Sequence, residues 1–343
     1  MIGVAVIGYG YWGPNLARCF AETDGCSLVA IADRSADALA RAAKRHPHTP
    51  LLTTDWQEAI ADPRVDAVII ATPVVSHFEI ALAALQAGRH VLIEKPMTAT
   101  AEQARILVEL AARRNLTVMV DHTFIYSSPV QKMKELIDSD ALGQVYYYDS
   151  TRINLGLFQR DVNVIWDLAV HDLAILRHIL DSEPVAISAT GVTHVAGTPE
   201  NMAQLTLYLE SGAVAHLNVN WLAPLKVRRA LVGGANKMIV WDDLEPTEKI
   251  KVYDRGVTLT DDPEQIHDMR VNYRIGDMWA PKLSTAEPIM VEAAHFIDCI
   301  EHGRTPITDG TLGLHVVEML EAATRSMKMR GGVVEFAPQR WAS

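Results

Sequence analysis

The sequence predicts an α/β fold: a doubly wound parallel sheet, then an α+β domain built on a large, mostly antiparallel open sheet. Three observations predict it. Over the first 120 residues, short apolar runs alternate with Ala-rich helical patterns, as parallel strands joined by crossover helices do. The run Ala67-Val68-Ile69-Ile70-Ala71 is apolar throughout, as a strand covered by helices on both faces must be. After about residue 122 the segments lengthen, become rich in β-branched and aromatic residues, and are separated by turns such as Glu210-Ser211-Gly212 and Gly233-Gly234.

The first strand is expected at 2–7. It runs into Gly8-Tyr9-Gly10-Tyr11-Trp12-Gly13, a G-x-G-x-x-G turn between strand and helix, the phosphate-binding fingerprint of a Rossmann domain. Gly8 permits the tight turn, Gly10 lets backbone approach a pyrophosphate, and Gly13 lets the helix pack closely on its strand. The helix that follows, near 14–22, tolerates Pro14 in its first turn and offers N–H groups and a partial positive charge to phosphates. The second strand, 28–32, ends at Asp33, twenty positions beyond Gly13, the spacing of the acidic residue that binds a ribose 2′-hydroxyl. NAD is therefore the expected cofactor. Arg34 can pair with a 2′-phosphate, which keeps NADP open. Further strands at 66–71, 90–93 and 117–120 alternate with helices near 36–45, 76–87 and 101–114. Ligands of such sheets bind at the carboxyl ends of strands, which here carry Gly8, Asp33, Thr72-Pro73 and Glu94-Lys95-Pro96.

In the second half, a helix is expected at 129–137 and strands at 144–154, 185–195, 203–209, 213–221, 227–232, 237–241 and 249–253, with a helix at 165–180 between them. The stretch 254–288 reads as an irregular polar loop over a site. A helix at 288–302 follows Pro288, and a last one at 309–329 carries the stripe Leu312, Val316, Val317, Leu320. The expected domains are 1–122, binding the dinucleotide, and 123–343, binding substrate and forming the oligomer, with the last helix able to pack back on the first.

Bulk properties narrow the function. The chain has 343 residues, 49% hydrophobic and 21% charged, with a formal charge of −11, which argues against nucleic-acid or anionic-membrane binding. No apolar stretch reaches the ~18–20 residues of a membrane helix, and a strand at the very N-terminus leaves no room for a signal peptide. Cys19, Cys26 and Cys299 form no C-x-x-C pattern, which fits a reducing, cytoplasmic location. The 13 histidines are scattered, without H-E-x-x-H or Cys/His spacing, so no metal is expected.

Two constellations carry chemistry. Lys95 closes a strand beside the cofactor region, where a lysine can stabilise the oxyanion of a substrate hydroxyl. In Trp166-Asp167-Leu168-Ala169-Val170-His171-Asp172, helical spacing puts Asp167 and His171 on one face, and a carboxylate beside an imidazole makes a general base near neutral pH. The residues alone leave plainer readings open: a solvated lysine, a satisfied core histidine, a capping carboxylate.

VAVIGYGYWG, ATPVVSHFEIALAALQAGRHVLIEKPM, DLAVHDLAIL, EAAHFIDCIEHGRTPITDG and VVEMLEAATRSM together resemble the Gfo/Idh/MocA oxidoreductase family over nearly the whole chain. The resemblance implies an N-terminal Rossmann domain, a C-terminal domain whose open sheet mediates homodimers or homotetramers, a nicotinamide cofactor and a carbohydrate or polyol substrate. By the same resemblance Lys95 matches the lysine of the E-K-P motif, and Asp167 and His171 the D-x-x-x-H pair with its acid–base histidine. Pro73, His77 and Glu94 match positions that line the cofactor pocket; Tyr11, Trp12 and Thr72 belong with them. GLFQRDVNVIWDLAVHDL, NWLAPLKVRRALVGG and EPIMVEAAHF are most similar to a branch that oxidises nucleotide-linked sugars, UDP-N-acetylglucosamine 3-dehydrogenases among them. Lys226, Arg228 and Arg229 would then serve a diphosphate, or else form a solvated strand edge; Arg228 and Arg229 face opposite ways. Arg152, Asn154, Arg160 and Asn163, ahead of the catalytic helix, are further substrate candidates. Beside oxidation of a nucleotide sugar at C3 stand a dehydrogenase of a free sugar, sugar phosphate or inositol, a redox-neutral epimerase or lyase that retains NAD, and a non-catalytic dinucleotide sensor.

Overall fold

Six short strands whose residues are mostly apolar and buried build the first sheet: β1 (Ile2–Ile7), β2 (Cys26–Ala32), β3 (Leu51–Thr53), β4 (Ala67–Ile70), β5 (His90–Glu94) and β6 (Val118–Asp121). A computed structural model describes residues 1–156, 162–255 and 276–336. All six strands pair in parallel in the order β3-β2-β1-β4-β5-β6. The order reverses beside β1, and a doubly wound sheet opens its ligand crevice at such a reversal. The crossovers are α1 (Gly13–Glu22), α2 (Ala36–Arg45), α3 (Trp56–Ala61), α4 (His77–Gln86) and α5 (Ala101–Arg114). Sequence shapes their ends: the Thr100 hydroxyl accepts the Gln103 N–H at the start of α5, and Asn115 closes it in the left-handed region at φ 54°. The sequence pattern missed β3 and α3, because a three-residue edge strand has no period to read.

The chain divides into two compact units, Met1–Ser127 with Ala286–Glu318, and Ser128–Thr285 with Met319–Ser343. The first therefore includes α8 (Pro288–His302), 166 residues downstream of the pattern change that suggested a boundary near 122, and the start of α9 (Gly310–Lys328). Phe296 of α8 meets Phe20 of α1 edge-on, with ring centroids 6.1 Å apart. Thr308 doubles onto β6: its carbonyl accepts the Val120 N–H at 2.8 Å and its hydroxyl donates to the Val120 carbonyl at 2.7 Å. A bridge between Met119 and Asp309 completes the cover of that sheet edge.

The second unit holds a nine-stranded sheet: β7 (Val145–Leu155), β8 (Pro184–Val192), β9 (Met202–Leu209), β10 (Val214–Asn220), β11 (Leu222–Gly234), β12 (Met238–Asp242), β13 (Ile250–Tyr253), β14 (Met278–Trp279) and β15 (Val334–Glu335). Every pair is antiparallel except β7 with β10. Burial alternates along β9 and β10, so Leu205, Leu207, Leu217 and Val219 face a packed side and the intervening residues a more open one. Helices α6 (Ser128–Asp138) and α7 (Val170–Ile179) belong to this unit, and a π-helical turn over Ile165–Ala169 leads into α7. The Trp166 indole donates to Thr324 and the Ser326 hydroxyl accepts the Ala189 N–H, tying the C-terminal part of α9 to the π turn and to β8. Most of the expected loop 254–288 lies outside the described residues. No helix among the described residues is long and apolar enough to cross a membrane. Burial pushes the thiols of Cys19 and Cys26 up to about 11, as inert packed cysteines require.

Candidate functional site

The first unit carries a dinucleotide cleft. Gly8 adopts φ +97°, and a Cβ on it would lie 2.5 Å from the Ala71 carbonyl oxygen. A Cβ on Gly13 would fall 2.0 Å from the Gly8 oxygen, so α1 reaches its strand only without a side chain there. Gly10 differs: beyond its own chain neighbours, nothing lies within 4 Å of where its Cβ would be. The fold does not need that glycine, whereas a ligand brought against the backbone does. The start of α1 is equally receptive. Its cap residue, Trp12, offers no side-chain acceptor, and its first turn holds no acidic residue; Pro14 has no N–H and those of Asn15 and Leu16 bond the Trp12 carbonyl, so the end draws an anion by its partial positive charge more than by free donors.

The cleft, about 170 Å³, is lined by Gly8, Gly10, Asp33, Arg34, Thr72 and Pro73 as expected, and by Thr54 and Trp56, which the sequence did not reveal. Both follow the unrecognised strand β3. Asp33 is held rigidly, its two oxygens accepting the N–H groups of Tyr9 at 2.6 Å and Ser35 at 2.8 Å. Arg34 beside it is exposed. These features fit a bound nicotinamide dinucleotide.

Three expected cofactor-pocket residues sit otherwise. Tyr11 is 92% exposed and stacks on Trp12, whose indole turns to Asp121 at 3.0 Å. His77 is 1% exposed. Its Nε2 lies 2.7 Å from the Thr72 carbonyl oxygen and its Nδ1 3.0 Å from that of Pro96. It clamps the ends of β4 and β5 together instead of lining the cleft. Burial lowers its pKa, and the carbonyls oppose that. Lys95 precedes a cis peptide to Pro96. Glu94 pairs in register with Asp121, and its pKa is raised well above the usual carboxylate range by burial and then by Asp121, against the pull of Lys95.

In the second unit, the segment 165–179 is helical, as expected, so Asp167 and His171 lie one turn apart along it. The π turn under Asp167 is a departure often found at functional positions. Trp221, fully buried, donates its indole N–H to Asp167 at 3.0 Å, a support that no spacing in the sequence announces. Asp172 faces the sheet and holds Arg152 in a fork, with contacts of 2.7 and 3.2 Å at 3% side-chain exposure each. Arg152, expected as a substrate ligand, is thus engaged in an internal ion pair that fastens α7 to β7. Asn163, likewise expected to meet substrate, is buried and caps the π turn, its side-chain oxygen accepting the N–H groups of Ile165 and Trp166. Asn154 is partly exposed on β7, and Arg160 lies outside the described residues.

Lys226 and Arg228 occupy β11, where Arg228 stands directly across from Arg152. Arg228 pairs with Asp243 at 3.3 Å, and Arg229 faces the other side, opposite Thr151 and Asp242. Lys226 is exposed, and its pKa is lowered first by Arg228 and then by burial. A cation whose neighbours disfavour its charge is a ready acceptor for an anion. Among the described residues, one group of metal-ligand side chains converges, His295, Asp298 and Cys299 on α8. His295 Nε2 already accepts the Ile307 N–H at 3.0 Å, Asp298 holds Arg304 at 3.0 Å, and the thiol is buried.

Two family profiles match the chain: an oxidoreductase family with NAD-binding Rossmann fold over residues 2–122, and a GFO/IDH/MocA C-terminal domain over residues 130–240. The chain is 28% identical over 315 residues to the UDP-N-acetylglucosamine 3-dehydrogenase of Acidithiobacillus ferrooxidans, covering 91% of this chain and 93% of that one. It is 23% identical over 333 residues to the scyllo-inositol 2-dehydrogenase (NAD(+)) of Bacillus subtilis, covering 92% and 90%. The solved structure of the Acidithiobacillus enzyme superposes with a TM-score of 0.80 at 26% identity, over 96% of this chain and 99% of the other.

Proposed function

The chain belongs to the Gfo/Idh/MocA oxidoreductase family, whose N-terminal domain binds NAD, and from that premise we propose that it oxidises a secondary hydroxyl of a nucleotide-linked sugar, C3 of a substrate such as UDP-N-acetylglucosamine, to the ketone. The observation that carries this reading is the cationic stretch of β11. Lys226 is exposed beside Arg228 on a chain that is acidic overall, an arrangement suited to a diphosphate. The similarity to the Acidithiobacillus enzyme along nearly the full length of both chains supports it.

NAD, when bound, supplies the acceptor for the two electrons that leave the carbon. His171 takes the hydroxyl proton. Asp167, fixed by the Trp221 indole, orients the imidazole and favours its charged form. Lys95 donates to the oxygen as it becomes a carbonyl. Asp33 favours NAD over NADP, because a 2′-phosphate would meet its carboxylate. Assembly into a homodimer or homotetramer through the open sheet belongs to the same proposal, and light scattering measures it.

The test is reduction of NAD and NADP, followed by ultraviolet absorbance, against UDP-sugars, sugar phosphates, free sugars and inositols. Turnover confined to UDP-linked sugars is expected, with Lys226→Ala raising their KM about tenfold, the loss of one charge-assisted contact. Turnover of inositol or free sugars alone would sink the nucleotide-sugar reading and leave the family chemistry standing. NAD that copurifies without net reduction on any substrate would favour a redox-neutral enzyme.

A further inference from the structure

Glu292 has no part in the chemistry above, yet it is one of the most deeply enclosed ionisable groups of the first unit, at 1% exposure. It comes from α8 and meets the ends of β5 and β6. Asp121, 2% exposed, ends β6 and uses both oxygens as acceptors, Oδ2 for the Trp12 indole N–H at 3.0 Å and Oδ1 for the Thr123 hydroxyl. Glu94 ends β5 directly opposite. Among the described residues, no N–H donates to either Glu292 oxygen; the side chain is directed at the Asp121 carboxyl and at the Thr123 hydroxyl, which it shares with Asp121.

A carboxylate can only accept, and a buried one without donors costs several kcal/mol. A carboxylic acid has a proton to give. We propose that Glu292, Asp121 and Glu94 form a carboxyl triad in which Glu292 and Glu94 are acids that donate to Asp121, and that Glu292 is a positioning residue that fixes Asp121 and, through it, the Trp12 end of the cofactor turn. The proposal rests on reading that turn as the dinucleotide site. The stoichiometry closes: a carboxylate has about four lone-pair sites, and Asp121 would receive four donors, from Trp12, Thr123, Glu94 and Glu292. The titration directions agree. Burial and then the charge of Asp121 hold Glu292 and Glu94 well above the usual carboxylate range. Other ionisable groups face the triad. Lys95, which follows β5, favours the charged form of Glu94, a smaller influence than burial and Asp121. His122, which follows β6, is kept neutral, pushed down to about 3 by burial and by Lys95. Tyr126, beside Glu292, is held protonated by burial. The turn preceding α1 contributes the neutral indole of Trp12, and α1 itself the Cys19 thiol, pushed up to about 11 chiefly by burial.

In the full chain, Glu292→Gln retains a neutral donor towards Asp121, whereas Glu292→Leu retains bulk without one. The proposal expects Glu292→Gln to bind NADH within about twofold of wild type and Glu292→Leu to bind roughly tenfold more weakly, the loss of one hydrogen bond to a charged group. It also expects the infrared difference spectrum, wild type minus Glu292→Gln at neutral pH, to show a protonated-acid carbonyl band. A carboxylate band in its place overturns the proposal, as does equal weakening in both variants when circular dichroism shows both folded. If the Leu variant does not fold, the infrared spectrum of the Gln variant decides alone. A wild-type chain that binds neither NADH nor NADPH overturns the reading of the turn, and the infrared band then still decides the triad.

Discussion

Gly10 and Gly13 stand three residues apart, yet they are glycines for opposite reasons, and substitution separates them. Gly13→Ala drives a methyl group to within 2.0 Å of the Gly8 oxygen, so it should lower unfolding stability by roughly 1–3 kcal/mol, as overpacking does. Gly10→Ala meets only open space and should melt within about 0.5 kcal/mol of wild type while weakening NAD binding. Thermal melts and an NADH titration on the pair check this, and the reverse pattern would refute the assigned roles. Lys95→Ala should cut kcat by roughly 10²–10⁴-fold and leave NADH affinity unchanged, since the lysine acts on the substrate oxygen. At this scale the sequence was legible where spacing is enforced by a ligand: Gly8, Gly10 and Asp33 line the cleft as read. It was not legible for His77, because one histidine four positions past Pro73 serves equally as pocket wall or as clamp, and only the carbonyls of Thr72 and Pro96 decide.

Elements were legible where their period is long. Strands β7 to β13 and helices α5 to α9 fall within a few residues of the periodicity, except that β11 begins at Leu222, five residues before its expected start, while β3, β14 and β15, of two or three residues, carry no pattern. What periodicity hides is how elements are fastened. Arg152 sits where a substrate-binding arginine could sit, yet its guanidinium locks α7 to β7 through Asp172 at 3% side-chain exposure. Removing one partner leaves the other charged and buried. Arg152→Ala and Asp172→Ala should each destabilise the chain by roughly 3–5 kcal/mol, measured by urea unfolding. An Arg152→Ala protein of unchanged stability and raised KM would return the residue to substrate binding. Trp221 was equally unreadable, since its contact with Asp167 spans 54 positions and arises only when β10 delivers it.

For the whole molecule the sequence revealed two sheets and their order and allowed the last helix to pack back on the first unit, but not that α8 belongs there too, because the helical pattern of α8 says nothing about its partner. Glu292 was invisible for that reason. Its burial makes stability depend on pH in a definite direction. An acid whose pKa is higher folded than unfolded stabilises the fold fully below its unfolded value, near 4.3, and that contribution is lost as pH rises through the raised folded value. Glu94 acts in the same direction. The melting temperature of Glu292→Gln should therefore gain on that of wild type from about pH 5 to pH 9. A difference that stays constant across that range would mean that Glu292 titrates normally.

The edge of β6 is covered by Thr308 and Asp309, which follow it by some 188 positions. During synthesis, at ~5–20 residues per second, the parallel sheet is therefore made long before its last edge can be closed. For that interval the chain presents an unpaired strand ending in Asp121 without Glu292 to share its proton. Until residues 308 and 309 are made, β6 has no partner on its outer edge, and an unpaired edge is where other chains pair.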